Sequence, residues 1–137
     1  MQIEKVQTIG ELEVLDYIQS LSQKSSSLLV DARTPSMYKK GTIPTAINLP
    51  YTLFESDTKH RDTVLSLLGA TQRKQQWEFK NVRELFIFDS SQWDFKASNL
   101  INHLIQLGYP QDHMHYYRGG LINWKLAGLT LTDHSER

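Results

Sequence analysis

The residues best placed to do chemistry lie between Phe88 and Lys96: Asp89, Ser90, Ser91, Gln92, Trp93, Asp94 and Phe95. Two carboxylates, two hydroxyls, an amide and an indole offer acid–base groups, hydrogen-bond acceptors and an aromatic contact anchor. They do not offer a thiol, and the chain of 137 residues contains no cysteine at all. That removes disulfides, thiolate metal sites and cysteine nucleophiles together. No general-acid partner stands beside Asp89 in the sequence, which weighs against a catalytic carboxylate.

A second cluster is Asp31-Ala32-Arg33, whose opposite charges suit a structural pair holding adjacent loops better than a substrate contact. The five histidines, His60, His103, His113, His115 and His134, are scattered. His113 and His115 are expected to share one strand face, but no third ligand accompanies them, so no metal and no cofactor is expected.

These groups need a scaffold, and the apolar pattern supplies one. Leu85-Phe86-Ile87-Phe88 is apolar on successive positions, as in a parallel strand buried on both faces. Ala97, Leu100, Ile101, Leu104 and Leu107 follow with helical spacing, and Gly108 and Pro110 end the pattern. Strand, polar loop and helix in this order put the loop at a strand's carboxyl end, where open parallel sheets bind ligands. Unpaired N–H groups and the positive end of the helix dipole would suit an anion or a thiolate there. Elsewhere Leu28-Leu29-Val30, Ala46-Ile47-Asn48-Leu49 and Met114-His115-Tyr116-Tyr117 read as short strands. Leu12, Leu15, Ile18 and Leu21 form a helical stripe over Glu11 to Ser22, Thr34-Pro35 opens a turn or a short helix broken by Gly41, Thr63 to Leu68 reads as helix, and Leu121 to Ala127 as the last. Gln72 to Gln76 is polar and basic, an expected exposed loop.

Bulk properties exclude several roles. Lys plus Arg and Asp plus Glu are 15 each, so no global field attracts nucleic acid or an anionic membrane. No apolar run reaches the roughly 18–20 residues of a membrane span, and no export signal is visible, which leaves the cytoplasm as the default location. The composition, 39% hydrophobic and 22% charged, is that of one globular domain over 1–137, with 1–10 and 132–137 at its periphery.

Three blocks resemble the rhodanese family. Asp31-Ala32-Arg33-Thr34-Pro35-Ser36-Met37-Tyr38-Lys39-Lys40-Gly41-Thr42-Ile43-Pro44-Thr45-Ala46-Ile47-Asn48-Leu49-Pro50 is similar to its early motif, Asp-x-Arg, then a short turn, then Gly-His-Ile-Pro-Gly-Ala. Phe86-Ile87-Phe88-Asp89 is similar to the strand entering its catalytic loop, and Arg118-Gly119-Gly120-Leu121-Ile122-Asn123-Trp124-Lys125-Leu126-Ala127-Gly128-Leu129 to its closing block. A bacterial subset reading Cys-Asn-Gly-Pro-Trp-Cys-Gly-Gln-Ser in the loop, then Gly-Tyr-Pro and Tyr-Arg-Gly-Gly, aligns without a gap on Trp93, Gly108-Tyr109-Pro110 and Tyr117-Arg118-Gly119-Gly120. Its two cysteines fall on Asp89 and Asp94.

The resemblance implies an α/β domain with a central parallel sheet of about five strands and helices on both faces. It also implies sulfur transfer by a thiolate at the position of Asp89, where a carboxylate cannot carry a persulfide. Two like charges ~4 Å apart oppose each other by ~1–4 kcal/mol, so Asp89 and Asp94 would repel an anionic sulfur donor. Met37 stands where the family often has an acid, Thr42 where it often has His, and Gln92 and Phe95 where loop residues are small. The expectation is an inactive member in which Asp89 to Phe95, supported by Asp31, Arg33 and Arg118, form a binding rim for a protein partner or a neighbouring domain of the same chain. Asp89 is expected to cap the following turn or helix or to accept a basic group of a partner. Trp93 either plugs the vacated pocket or stands out as an anchor, and Trp124 is core. The alternatives are an accessory of sulfur transfer, or an enzyme using Asp89 with Asp94.

Overall fold

The computed structural model describes residues 6–21, 26–54 and 58–133. In chain order these form β1 (Gln7–Ile9), α1 (Glu11–Asp16) continuing into a π-helical turn (Tyr17–Leu21), β2 (Ser27–Asp31), α2 (Pro35–Lys40), β3 (Ile47–Asn48) and α3 (Thr58–Leu67). Then come β4 (Thr71–Arg73), β5 (Gln76–Glu78), β6 (Glu84–Phe88), α4 (Lys96–Leu107), a 3-10 turn (Gln111–His113), β7 (Met114–Tyr117) and α5 (Gly120–Leu126). Five strands make one sheet in the order β1-β7-β6-β2-β3, every pair parallel. The expected α/β architecture, with a five-stranded parallel sheet, is the one observed.

Strand alternation splits the core into two layers. Leu85 and Ile87 of β6 pack with Val64, Leu65 and Leu68 of the α3 region and with Ala97, Leu100, Ile101 and Leu104 of α4. Phe86 and Phe88 pack instead with Val14, Tyr17, Leu121 and Trp124. Helices therefore cover both faces, and each fully buried Leu or Ile contributes roughly 2 kcal/mol of burial energy. α4 ends as its sequence dictates: Gly108 takes φ 110°, and its N–H donates to Ile105 O at 3.0 Å.

Of the stripe Leu12, Leu15, Ile18 and Leu21, Leu15 and Ile18 pack against the core, Leu12 is 77% exposed, and the side chain of Leu21, with Ser22, lies outside the described residues. Val14 and Tyr17 are buried, with the Tyr17 ring on Phe86 at 4.8 Å. Three expectations are corrected. Gln72 to Gln76 is not a loop but most of an antiparallel hairpin, β4 with β5, turning on Lys74 and Gln75 at φ 53° and 69°. Two successive residues at positive φ match the twist of a two-residue hairpin. The N-terminal segment assigned to the periphery supplies the edge strand β1, which pairs with β7 through Gln7, Thr8 and Ile9. His113 sits in the 3-10 turn and not on the strand with His115, so the two do not share a strand face. His134 lies outside the described residues. No helix among the described residues is long and apolar enough to cross a membrane.

Candidate functional site

β2 and β6 are neighbours, with Asp31 level with Phe88, so both carboxyl ends open toward the same side of the sheet. After β2, the Asp31 carboxylate is fully buried and fully used. Its oxygens accept from Arg33 N–H at 2.9 Å, Arg33 Nε at 3.0 Å, Arg33 Nη2 at 2.8 Å and Thr42 Oγ1 at 2.8 Å. Arg33 Nη2 also donates to Gly41 O at 2.6 Å. The expected structural pair is thus a buried clamp between the end of β2 and the end of α2. Thr42, which the family resemblance marked as a departure, is one of its donors. Thr34 opens α2 by accepting from Met37 N–H at 3.4 Å.

The loop after β6 is organised by its own two carboxylates. Asp89 is fully buried, and its Oδ2 accepts from Ala97 N–H, in the first turn of α4, at 2.7 Å. Its Oδ1 is buried with no partner. Burial pushes this carboxyl up to about 6, and the nearby Asp94 charge adds to the rise against the opposing Ala97 hydrogen bond. Asp94 Oδ2 accepts from Ser90 N–H at 3.2 Å, and Oδ1 from Lys96 N–H at 3.2 Å. Lys96 Nζ lies 3.1 Å from Asp94 Oδ1, which offsets the acid's charge. Burial acts to raise Asp94, but the hydrogen bonds from Lys96 and Ser90 outweigh it and hold the carboxyl below its usual range. Trp93 N–H donates to Ser91 Oγ at 3.2 Å and Asp94 N–H to Ser91 O at 3.0 Å. The N–H groups of Ser90, Trp93, Asp94, Lys96 and Ala97 are therefore spent inside the loop, on groups the chain itself supplies.

α5 locks the loop from the other side. Leu121 N–H donates to Asp89 O and Ile122 N–H to Ser90 O, each at 2.9 Å. Gly120 takes φ +68°, and a Cβ there would lie 2.7 Å from both Asp89 O and Ser91 N. Only glycine permits this approach. The glycine pair of the closing block thus has a local reason that the sequence shows as a pattern but does not explain.

The remaining loop residues face outward. Trp93 is 86% exposed and Phe95 55% exposed, and Gln92 is exposed as well. The expectation that Trp93 plugs a vacated pocket is overturned, since the side chain stands in solvent. Phe95 meets the Tyr51 ring edge-on at 5.3 Å, and Lys96 Nζ lies 5.3 Å from the Phe95 centroid. The expectation that Asp89 accepts a partner's basic group does not match its burial, whereas the capping role does. The helix it caps begins seven residues on, so the bond is not visible as a local capping pattern. Ser90, Ser91 and Asp94 are half-buried and Arg118 is exposed. Lys96, Thr42, Tyr51 and Gly120 belong to the site and were not singled out as site residues. Of these, Tyr51 carried no readable signal, whereas Lys96 stands two residues after Asp94 and Thr42 and Gly120 lie in the motif blocks.

The comparisons with known proteins follow from this geometry. The family model for the rhodanese-like domain matches residues 14–127. Among solved structures, the BH2092 protein from Bacillus halodurans superposes with TM-score 0.66 at 17% identity, covering 94% of this chain and 78% of that one. The rhodanese-like domain of the Alr3790 protein from Anabaena sp. gives TM-score 0.62 at 19% identity, covering 99% and 83%. A thiosulfate sulfurtransferase from Pseudomonas aeruginosa gives TM-score 0.61 at 18% identity, covering 94% of this chain and 20% of that one. No curated protein matches the chain. The family model spans most of the sequence, and its fold is the one built above: the chain belongs to the rhodanese-like domain family.

Proposed function

We propose that this is a non-catalytic rhodanese-like domain that binds a protein partner, or a neighbouring domain of the same chain, through the outward side of the loop Asp89 to Phe95. One observation carries the reading. The amides of Ser90, Trp93, Asp94, Lys96 and Ala97 are bonded within the loop, three of them to Asp89 and Asp94, while Trp93 and Phe95 project from the same loop into solvent. Sulfur transfer needs a nucleophile that can carry a persulfide, and the chain has no cysteine. An enzyme built on Asp89 and Asp94 is not favoured, since one carboxyl is buried against a helix N-terminus and the other is paired with Lys96. Exposed aromatic side chains on a rigid support are what interface anchors require. Asp89 and Asp94 then shape the rim from within, and Gln92, Trp93 and Phe95 make the contacts.

The test is capture of proteins from an extract of the source cell by the wild-type domain beside Trp93→Ala with Phe95→Ala. A partner held by the wild type and lost by the variant supports the reading, and identical capture removes it. Thiosulfate turnover by the wild type above an Asp89→Ala control would remove the non-catalytic half.

A further inference from the structure

A second cavity, ≈ 370 Å³, lies on the α1 side of the sheet, away from the loop Asp89 to Phe95. Gln7, Ile9, Phe86 and His115 supply its floor, and Leu12, Glu13, Asp16 and Tyr17 its other wall. The strand register explains the floor: Gln7 and Phe86 both sit level with His115 on adjacent strands. Three rings run together there, His115 stacked on Phe86 at 4.5 Å and 12°, and Tyr17 against Phe86 at 4.8 Å. The size is at the small end of ligand pockets, which span roughly 300–1,000 Å³.

The polar groups are one-sided. His115 Nδ1 lies 3.0 Å from Gln7 Oε1, and its Nε2 is buried 3.6 Å from Glu84 Oε2. Glu13, which accepts from Gly10 N–H at 2.7 Å, and Asp16 add two carboxylates at the wall, and no Lys or Arg among the described residues lines the cavity. Apolar surface is also left over. Leu12 stands 77% exposed at the cavity. Tyr17 begins a π-helical turn, a geometry found often at functional sites.

We propose that this cavity binds a small organic ammonium ion, an amine on an apolar body about the size of one ring. The rings and Leu12 take the body, and the carboxylates and the ring faces attract the cation. The site is independent of the loop Asp89 to Phe95, so it stands or falls separately from the proposed function.

The experiment is a titration followed by amide and methyl NMR, with 2-phenylethylamine as probe and 2-phenylethanol and 3-phenylpropionate as its neutral and anionic counterparts. The expected result is saturable shifts of Gln7, Leu12, Tyr17 and His115 by the amine, with Kd below about 1 mM. The alcohol binds at least about tenfold more weakly, and Glu13→Gln with Asp16→Asn weakens the amine by a similar factor. Leu12→Ser, a change at an exposed position, weakens it about threefold and serves if the double variant does not fold. Absence of saturable shifts with the amine overturns the proposal. So does equal binding of 3-phenylpropionate, or unchanged affinity in the folded variants.

Discussion

Two aspartates close neighbouring strands of the same sheet, and they are held in opposite ways. Asp31 has both oxygens engaged, by Arg33 and Thr42, in a clamp that also reaches Gly41. Asp89 is equally buried, but it has one strong bond, from Ala97, and an oxygen with no partner. The first site keeps the Asp and Arg of the family motif, with Thr42 as a further donor, and its charge is compensated. The second has a carboxylate where the family resemblance implies a thiolate, and the N–H groups around it match it only in part. A buried charge is tolerated when its partners are complete and is costly when they are not. One strand end thus holds a buried acid with its partners complete, and the next holds a buried acid bonded to a helix amide with its partners incomplete.

The largest effect expected from this contrast is at the clamp. Arg33→Ala leaves Asp31 buried with its cation gone, and should cost about 3–5 kcal/mol in urea unfolding. A loss under about 1 kcal/mol would mean that the two sites are not different after all.

Asp89 should behave in the opposite sense. Its folded carboxyl is raised to about 6 from an ordinary 3.8. The stability linked to its proton is therefore complete below about pH 4 and lost as pH rises through 6. At pH 8 the wild type carries the whole penalty, up to about 3 kcal/mol at 1.36 kcal/mol per pH unit of displacement. Asp89→Asn keeps an acceptor for Ala97 and has no charge to desolvate, so it should be more stable than wild type at pH 8, the gain shrinking toward pH 4. Unfolding midpoints measured across pH 4–8 check this, and parallel curves for the two proteins would contradict it.

Gly120→Ala sharpens the picture of how the second site is locked. A methyl group 2.7 Å from Asp89 O and Ser91 N, at positive φ, should cost about 1–3 kcal/mol and shift the amide resonances of the loop. Shifts confined to α5 would show that the contact is not tight. The smallest expected effect is at the surface. Trp93→Ala should change stability by no more than about 0.5 kcal/mol, because the side chain is nearly free of the fold. A larger loss would place the indole in the structure and not at an interface.

Much of this was legible in the sequence where signals are local. The strand Leu85 to Phe88, the helix stripe from Ala97 to Leu104 and the pairing of Asp31 with Arg33 depend on periodicity or on charges two residues apart, and they stand as read. What was hidden depends on distant contacts. Leu12 and Val14 lie on helix faces of similar apolar character, and only the packing of Tyr17 on Phe86 decides between them. Asp89 bonds an amide eight residues on, across a loop whose path the sequence does not specify. Trp93 has no sequence feature that separates a plug from an anchor. The cavity floor joins Gln7 to His115, which are 108 residues apart and meet only because β1 pairs with β7.

The central claim is that the amides of Ser90, Lys96 and Ala97 are occupied by the chain's own carboxylates and are closed to an external anion. The direct measurement is a titration of the 15N-labelled wild-type domain with thiosulfate, read at the amides of Ser90, Lys96 and Ala97. The account predicts no saturable shift at these three positions. Saturable, concerted shifts there would show a cradle still open to an anionic donor and would contradict it.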